Sequence, residues 1–364
     1  AEAPELMLLD EPTNHLDIQA IEWLEAELKS TRCAYVLISH DIDLVERTAD
    51  HVAVIYQGRI VEWGKANEVI AEPSHPYTLA LRSASPIRRL RMSDLLPKEK
   101  RTATASRALE IRDLQLSCTE NEQERTLVDG VDLTLERGET LALVGESGAG
   151  KSLTARAVIG LLPATIRVSR GQILIGETSV LDADEDQLRR LRGSAVSYIP
   201  QDPLRALNPV RRVGDLFDEL LARHGFGKSK DRRDRAERCL ERVGLSADVR
   251  HRFAHELSGG MRQRALIAMA IAVDPLLIIA DEPTTALDAT VQAEILDLLR
   301  DLTDGSTALL LITHDLAVAA NLCRRLIVMR QGKMVEHGSF AQILKEPSAD
   351  YTRQLISSSL LEAP

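Results

Sequence analysis

Apolar and polar positions along this 364-residue chain fall into short strand-like runs separated by longer amphipathic ones. In its second half, Leu109 to Leu116 and Val131 to Leu135 alternate as half-buried strands do, and Glu139 to Val144 is an apolar run ending in glycines. Ser152 to Leu162 then carries apolar residues at helical spacing. From Leu188 to Glu256 the chain turns charged and periodic, around Asp215 to Ala222 and Asp231 to Val243, which predicts an inserted helical region. A helix (Gly260 to Val273), a strand (Leu276 to Ala280), a helix (Val291 to Leu302) and a strand (Ala308 to Ile312) follow. Strands alternating with helices predict an α/β domain on a mostly parallel sheet.

The pattern also repeats. Asp10 to Asp17 reads DEPTNHLD and Asp281 to Asp288 reads DEPTTALD, 271 residues on. Ile38-Ser39-His40-Asp41 returns as Ile312-Thr313-His314-Asp315, and Val61-Glu62-Trp63-Gly64 as Val335-Glu336-His337-Gly338, both 274 residues on. Glu72-Pro73-Ser74 with Tyr77-Thr78 matches Glu346-Pro347-Ser348 with Tyr351-Thr352 at the same offset. Two copies of one domain are therefore expected in tandem. Residues 1–86 are expected to be a C-terminal fragment of the first copy, 87–106 a linker, and 107–364 a complete second copy. Only nine residues precede the first DEPT motif, so the chain reads as cut rather than naturally begun.

Candidate chemistry concentrates in the second copy. Gly145-Glu146-Ser147-Gly148-Ala149-Gly150-Lys151-Ser152 fits G-x-x-x-x-G-K-[ST] between a predicted strand and a predicted helix. Such a loop turns backbone N–H groups toward phosphate oxygens; Lys151 reaches the β/γ-phosphates and the Ser152 hydroxyl ligates Mg²⁺. The apolar strand ending at Asp281-Glu282 brings two carboxylates to the sheet edge. Asp281 is expected to hold Mg²⁺ through water, and Glu282 to polarise an attacking water.

Together with Leu257-Ser258-Gly259-Gly260-Met261-Arg262-Gln263-Arg264, Gln201 in Tyr198-Ile199-Pro200-Gln201, Ala286-Leu287-Asp288 and His314, these motifs resemble the ATP-binding cassettes of ABC proteins over essentially the whole chain. The resemblance implies a P-loop NTPase cassette with a mostly parallel sheet core, an antiparallel β part and an inserted α-helical subdomain. It implies ATP and Mg²⁺ as cofactors and ATP hydrolysis as the activity. Gln201 would contact Mg²⁺ or water, His314 the γ-phosphate, and Ser258, Gly259 and Gly260 the γ-phosphate held by a second cassette in a dimer sandwich. The stretch Gln201 to Pro209 and the two Glu-Pro-Ser tails look like the ATPase subunits of dipeptide and oligopeptide importers. That branch implies membrane-spanning permease subunits as partners, a solute-binding protein beyond them, and a peripheral place on the cytoplasmic side of the membrane. Cys118 stands where the family usually stacks an aromatic ring on adenine, so weak preference between ATP and GTP is expected. The first copy, with neither phosphate loop nor signature, is expected to complete no ATP site.

Composition narrows the alternatives. Fifty-five acidic against 45 basic residues give a net charge of −10, the wrong sign for diffuse binding of nucleic acid. Asn14-His15 favours the translation-factor branch of ABC proteins, a soluble alternative acting on the ribosome, but the net charge and the short segment between the copies count against it. No apolar stretch reaches the length of a membrane helix. Cys33, Cys118, Cys239 and Cys323 are too scattered for a disulfide framework or a C-x-x-C metal site.

Overall fold

A computed structural model describes residues 4–13, 16, 18–31, 33–85, 106–120, 123–285, 287–303 and 306–359. Most of the expected linker, together with Asn14, His15, Asp17 and Ala286, lies outside the described residues.

The first copy supplies β1 (Leu6–Asp10), α1 (Ile18–Ser30), β2 (Ala34–Ile38), α2 (Ile42–Thr48), β3 (His51–Tyr56), β4 (Arg59–Lys65), α3 (Ala66–Ala71) and α4 (Pro76–Ala84). The second copy opens with β5 (Arg107–Glu120), β6 (Gln123–Glu136), β7 (Thr140–Val144), α5 (Lys151–Val158), β8 (Ile166–Ile175) and β9 (Thr178–Ser179). Next come α6 (Glu185–Leu191), β10 (Val196–Ile199), α7 (Pro203–Ala206), α8 (Val213–Arg223), α9 (Ser229–Arg242) and α10 (Gly259–Ile271). It closes with β11 (Leu277–Asp281), α11 (Ala289–Thr303), β12 (Ala308–Thr313), α12 (Leu316–Leu322), β13 (Arg325–Arg330), β14 (Lys333–Ser339), α13 (Phe340–Lys345) and α14 (Asp350–Ser358). The elements of the first copy recur in the second at the sequence offsets: β1 on β11, α2 on α12, β3 on β13, β4 on β14, α4 on α14.

A six-stranded sheet ordered β10-β11-β12-β7-β13-β14 forms the centre of the second copy, and every pair but β13 with β14 is parallel. Strands β11 and β12 are buried at every position, and apolar up to the Asp281 and Thr313 that end them, because both faces are covered. Ala142, Val144, Ile278, Ala280, Leu309 and Leu311 face one core with α8 to α14, whereas Leu141, Leu143, Leu277, Ile279, Leu310 and Ile312 face a second core with α5 and the antiparallel sheet β6-β5-β8-β9. Strands β5 and β6 run well past the alternation that predicts them. Register shifts break the period of two, so the outer ends of the strands are polar yet paired as far as Glu120 with Gln123. The helix expected over Ser152 to Leu162 stops at Val158 instead, at a turn where Gly160 has φ 62°.

In the first copy the sheet is split. β1 pairs with β2 and β3 with β4, but nothing among the described residues fills the place that β7 takes between β12 and β13. Leu8 (76% exposed) and Ile38 (58%) remain open to solvent on one face of the β1-β2 pair, an exposed apolar face. The fragment is nonetheless seated on the second copy, with Ala84 of α4 packed against Ala289 and Ala293 of α11.

Candidate functional site

Parallel strands bring their C-terminal ends to one edge, and the site is built there. Val144 of β7 leads into the phosphate loop, Asp281 ends β11, Thr313 ends β12 and Ile199 ends β10, all in adjacent register. The loop needs glycine at Gly145. Its φ of 149° is reserved for glycine, and a Cβ there would lie 2.1 Å from Met329 O. At Gly148 a Cβ would meet nothing within 4 Å, so the loop encloses open space. Lys151, only 5% exposed, donates from Nζ to Gly145 O (2.7 Å) and Glu146 O (2.8 Å), wrapping the loop round its ammonium.

The two carboxylates after β11 sit in different surroundings. Asp281 is buried, and accepts from Ser152 Oγ (3.0 Å) on one oxygen and Tyr198 OH (2.7 Å) on the other. Burial pushes its carboxyl above the usual range, reinforced by the Glu282 charge, despite the lowering effect of those two hydroxyls. Glu282 adopts φ 48°, a left-handed conformation uncommon for a residue with a side chain, which turns it out of the strand. Its Oε1 meets His314 Nδ1 at 3.1 Å, and its Oε2 accepts from Gln201 Nε2 (2.8 Å) and Thr285 Oγ1 (3.0 Å). Burial works to raise its pKa, but the bond and charge of His314 outweigh it and bring the carboxyl below its ordinary value. His314 moves the other way: burial lowers it, yet Glu282 carries the imidazole above its ordinary value. Each partner thus favours the charged form of the other.

Ser147, Gly148, Ala149, Gly150, Lys151, Ser152, Gln201, Glu282 and His314 line a pocket of about 210 Å³. Gly145, Glu146 and Asp281 stand just behind that lining, the first two held by Lys151 and the third by Ser152. Ser258, Gly259 and Gly260 are elsewhere, at the start of α10, where the Ser258 hydroxyl accepts from Met261 N and a Cβ on Gly260 would strike Val291. Cys118 pairs with Arg125 and Ile166 in the antiparallel sheet and does not line the pocket.

One lining residue comes from the first copy: Leu16 lines the pocket together with the phosphate-loop residues. Motif reading missed it although Leu16 lies in the repeated Asp10–Asp17 stretch, opposite Leu287, because a repeat match does not say which pocket a residue reaches. Tyr198 and Thr285 were also missed. Both flank motif residues, and the one available signal was that Tyr198 lies three residues before Gln201 and Thr285 three after Glu282. The first copy keeps a faint image of the arrangement: Glu11 has φ 45°, and His40 Nε2 lies 3.5 Å from its Oε1.

The donor set fits Mg²⁺. Among the described residues no cluster of three or more His, Cys, Asp or Glu could cage a metal by itself. A hydroxyl and a carboxylate held 3.0 Å apart, Ser152 and Asp281, are hard oxygen donors of the kind Mg²⁺ takes alongside phosphate oxygens and water; Ser152 would bind it directly and Asp281 through water.

Comparison with known proteins places the chain among ATP-binding proteins. The ABC transporter family matches residues 128–285, and the oligopeptide/dipeptide transporter C-terminal region matches residues 61–110, over the tail of the first copy. The chain is 37% identical over 99% of its length to the peptidoglycan transport ATP-binding protein YejF of Agrobacterium fabrum, covering 66% of that protein. It is 42% identical over 70% of its length to the oligopeptide transport ATP-binding protein OppD of Bacillus subtilis, covering 72% of that protein. The chain thus spans about two thirds of the length of the curated relatives it matches. A dimeric ATP-binding cassette in a post-hydrolysis state bound to ADP and Pi superposes with a TM-score of 0.58 at 26% identity, over 64% of this chain and 98% of that one. With the phosphate loop, the carboxylate pair and His314 converging on one pocket, and a 42% identical relative matched over most of its length, the chain belongs to the ATP-binding proteins of ABC transporters.

Proposed function

We propose that this chain binds and hydrolyses ATP with Mg²⁺ and so powers the import of peptides or similar small solutes through separate membrane-spanning subunits. The observation that carries the reading is the Glu282 carboxylate, kept ionised by His314 and held by Gln201 and Thr285 at the rim of the phosphate pocket. Mg²⁺, once bound, supplies charge neutralisation of the phosphates. The chain's own residues do the rest. Loop amides from Ser147 to Ser152 receive the phosphates, and Lys151 turns its ammonium to the β/γ-oxygens. Ser152 and Asp281 hold the metal, Asp281 through water. Glu282 accepts a proton from the attacking water, and His314 sets its orientation and faces the γ-phosphate.

Residues 1–86 are the C-terminal part of a first cassette and 107–364 a complete second one, joined by the linker 87–106. In this reading Ser258, Gly259 and Gly260, away from their own pocket, serve the γ-phosphate of a second cassette in a sandwich. No helix among the described residues is long and apolar enough to cross a membrane. In this reading the chain is a peripheral subunit on the cytoplasmic face of permease subunits, with a solute-binding protein beyond them. The importer branch is supported by the tail match and by the names of the relatives; the ribosome-acting alternative has no such support.

The test is calorimetric titration of ATP with Mg²⁺ against the parent chain and Lys151→Ala. The parent should bind and the variant should show no saturable heat, because no other cation lines the phosphate pocket among the described residues except His314. Equal affinity would refute the phosphate loop. Co-purification with the membrane subunits of a peptide importer tests the transport half.

A further inference from the structure

Tyr351 lies on α14, outside every nucleotide motif, yet its phenol oxygen accepts the hydrogen bond of Glu146 N–H at 3.0 Å. The ring is 4% exposed, and the Arg330 guanidinium sits 4.7 Å above its centre. The segment before it is tied down too. Glu336 accepts from Ser348 N (2.7 Å) and Ala349 N (3.1 Å), fixing the turn that launches α14. Burial, with the charge of Glu146, pushes the Tyr351 phenol up to about 12, so it stays neutral and able to accept.

Glu146 is consequently gripped from two sides: its carbonyl by Lys151 Nζ and its amide by Tyr351. Its amide is turned toward the tail, while the pocket is lined from Ser147 onward. We propose that Tyr351 is a positioning residue of the ATP site, anchoring the first residues of the phosphate loop so that the amides from Ser147 onward converge on the phosphates. The proposal rests on the reading of this pocket as an ATP site. It ties the C-terminal tail to nucleotide affinity, so that displacement of α14 loosens the loop. The first copy underlines the point. Tyr77, the counterpart of Tyr351, packs tilted against Tyr56, ring centres 4.4 Å apart, in place of a cation, in a copy that has no phosphate loop among its described residues.

Tyr351→Phe in the full chain keeps the ring and the Arg330 contact and removes the phenol hydroxyl, and with it the bonds to the Glu146 amide and side chain. ATP affinity is measured by calorimetry with Mg²⁺, and KM and kcat by steady-state hydrolysis. The expected result is a rise in Kd and KM of about three- to tenfold, the equivalent of one modest hydrogen bond, with kcat at saturating ATP unchanged and a cooperative thermal transition retained. Unchanged KM overturns the proposal, as does a fall in kcat that tracks loss of folded protein at constant KM, which is the signature of mere packing. If the parent itself fails to bind ATP, the reading of the site falls and takes the proposal with it. If the parent binds and Tyr351→Phe binds equally well, only the proposal falls. Should Tyr351→Phe not fold, Arg330→Met, which leaves the hydroxyl but frees the ring, must raise KM in the same direction by a smaller factor; no rise overturns the proposal.

Discussion

Glu282→Gln probes the centre of the site. The variant keeps shape and can still accept from Gln201 Nε2 and Thr285 Oγ1, but it loses both the basicity and the charge that His314 faces at 3.1 Å. A positioned general base contributes about 10²- to 10⁴-fold, which is roughly 3–5 kcal/mol of barrier at about 1.36 kcal/mol per decade. Single-turnover hydrolysis should therefore slow by that factor while ATP is retained on the protein, read by filter binding. The His314 partner adds a second readout. In the parent, the His314 pKa is raised, so its contribution is present below the ordinary histidine value and is lost as pH rises through the raised one. The Glu282 pKa is lowered, so its contribution is present above the ordinary glutamate value and is lost as pH falls through the lowered one. Between those limits the charge-assisted bond contributes about 1.5–3 kcal/mol. In Glu282→Gln the imidazole loses the group that raised it, and its titration by NMR should move to lower pH. The stability gap between parent and variant should narrow above the parent's His314 pKa. Hydrolysis within about threefold of the parent, or an unmoved His314 titration, would refute the reasoning.

Gly145→Ala should destabilise the fold by roughly 2–4 kcal/mol in urea unfolding, since the new methyl would lie 2.1 Å from Met329 O at a φ of 149°; a loss under about 0.5 kcal/mol contradicts the close approach. Removing residues 1–86 takes away exposed Leu8 and Ile38 and should reduce light scattering on storage. The same deletion removes Leu16 from the pocket rim, so KM for ATP should rise a few-fold while kcat persists. Abolished turnover would mean that the first copy does more than cover the phosphates.

Much of this protein was legible from its residues in order. The phosphate loop, the strand that ends at Asp281-Glu282, the histidine that ends β12 and the tandem repeat are local patterns, each fixed by the backbone and side-chain chemistry of a few neighbouring residues. Parallel pairing then made convergence of Gln201, Glu282 and His314 foreseeable, because strand ends meet at one edge. Contacts between residues far apart in sequence were not legible. Tyr198 reaching Asp281 and Tyr351 reaching Glu146 both depend on where a ring lands after packing, 83 and 205 residues from its partner. The same holds for Leu16, which the repeat pairs with Leu287 but which lines the pocket of the other copy. Sequence periodicity reports which faces are buried, and motifs report which chemistry a turn can hold. Which distant side chain supplies the next hydrogen bond is decided only when the layers close, because that choice depends on distances the chain order does not contain.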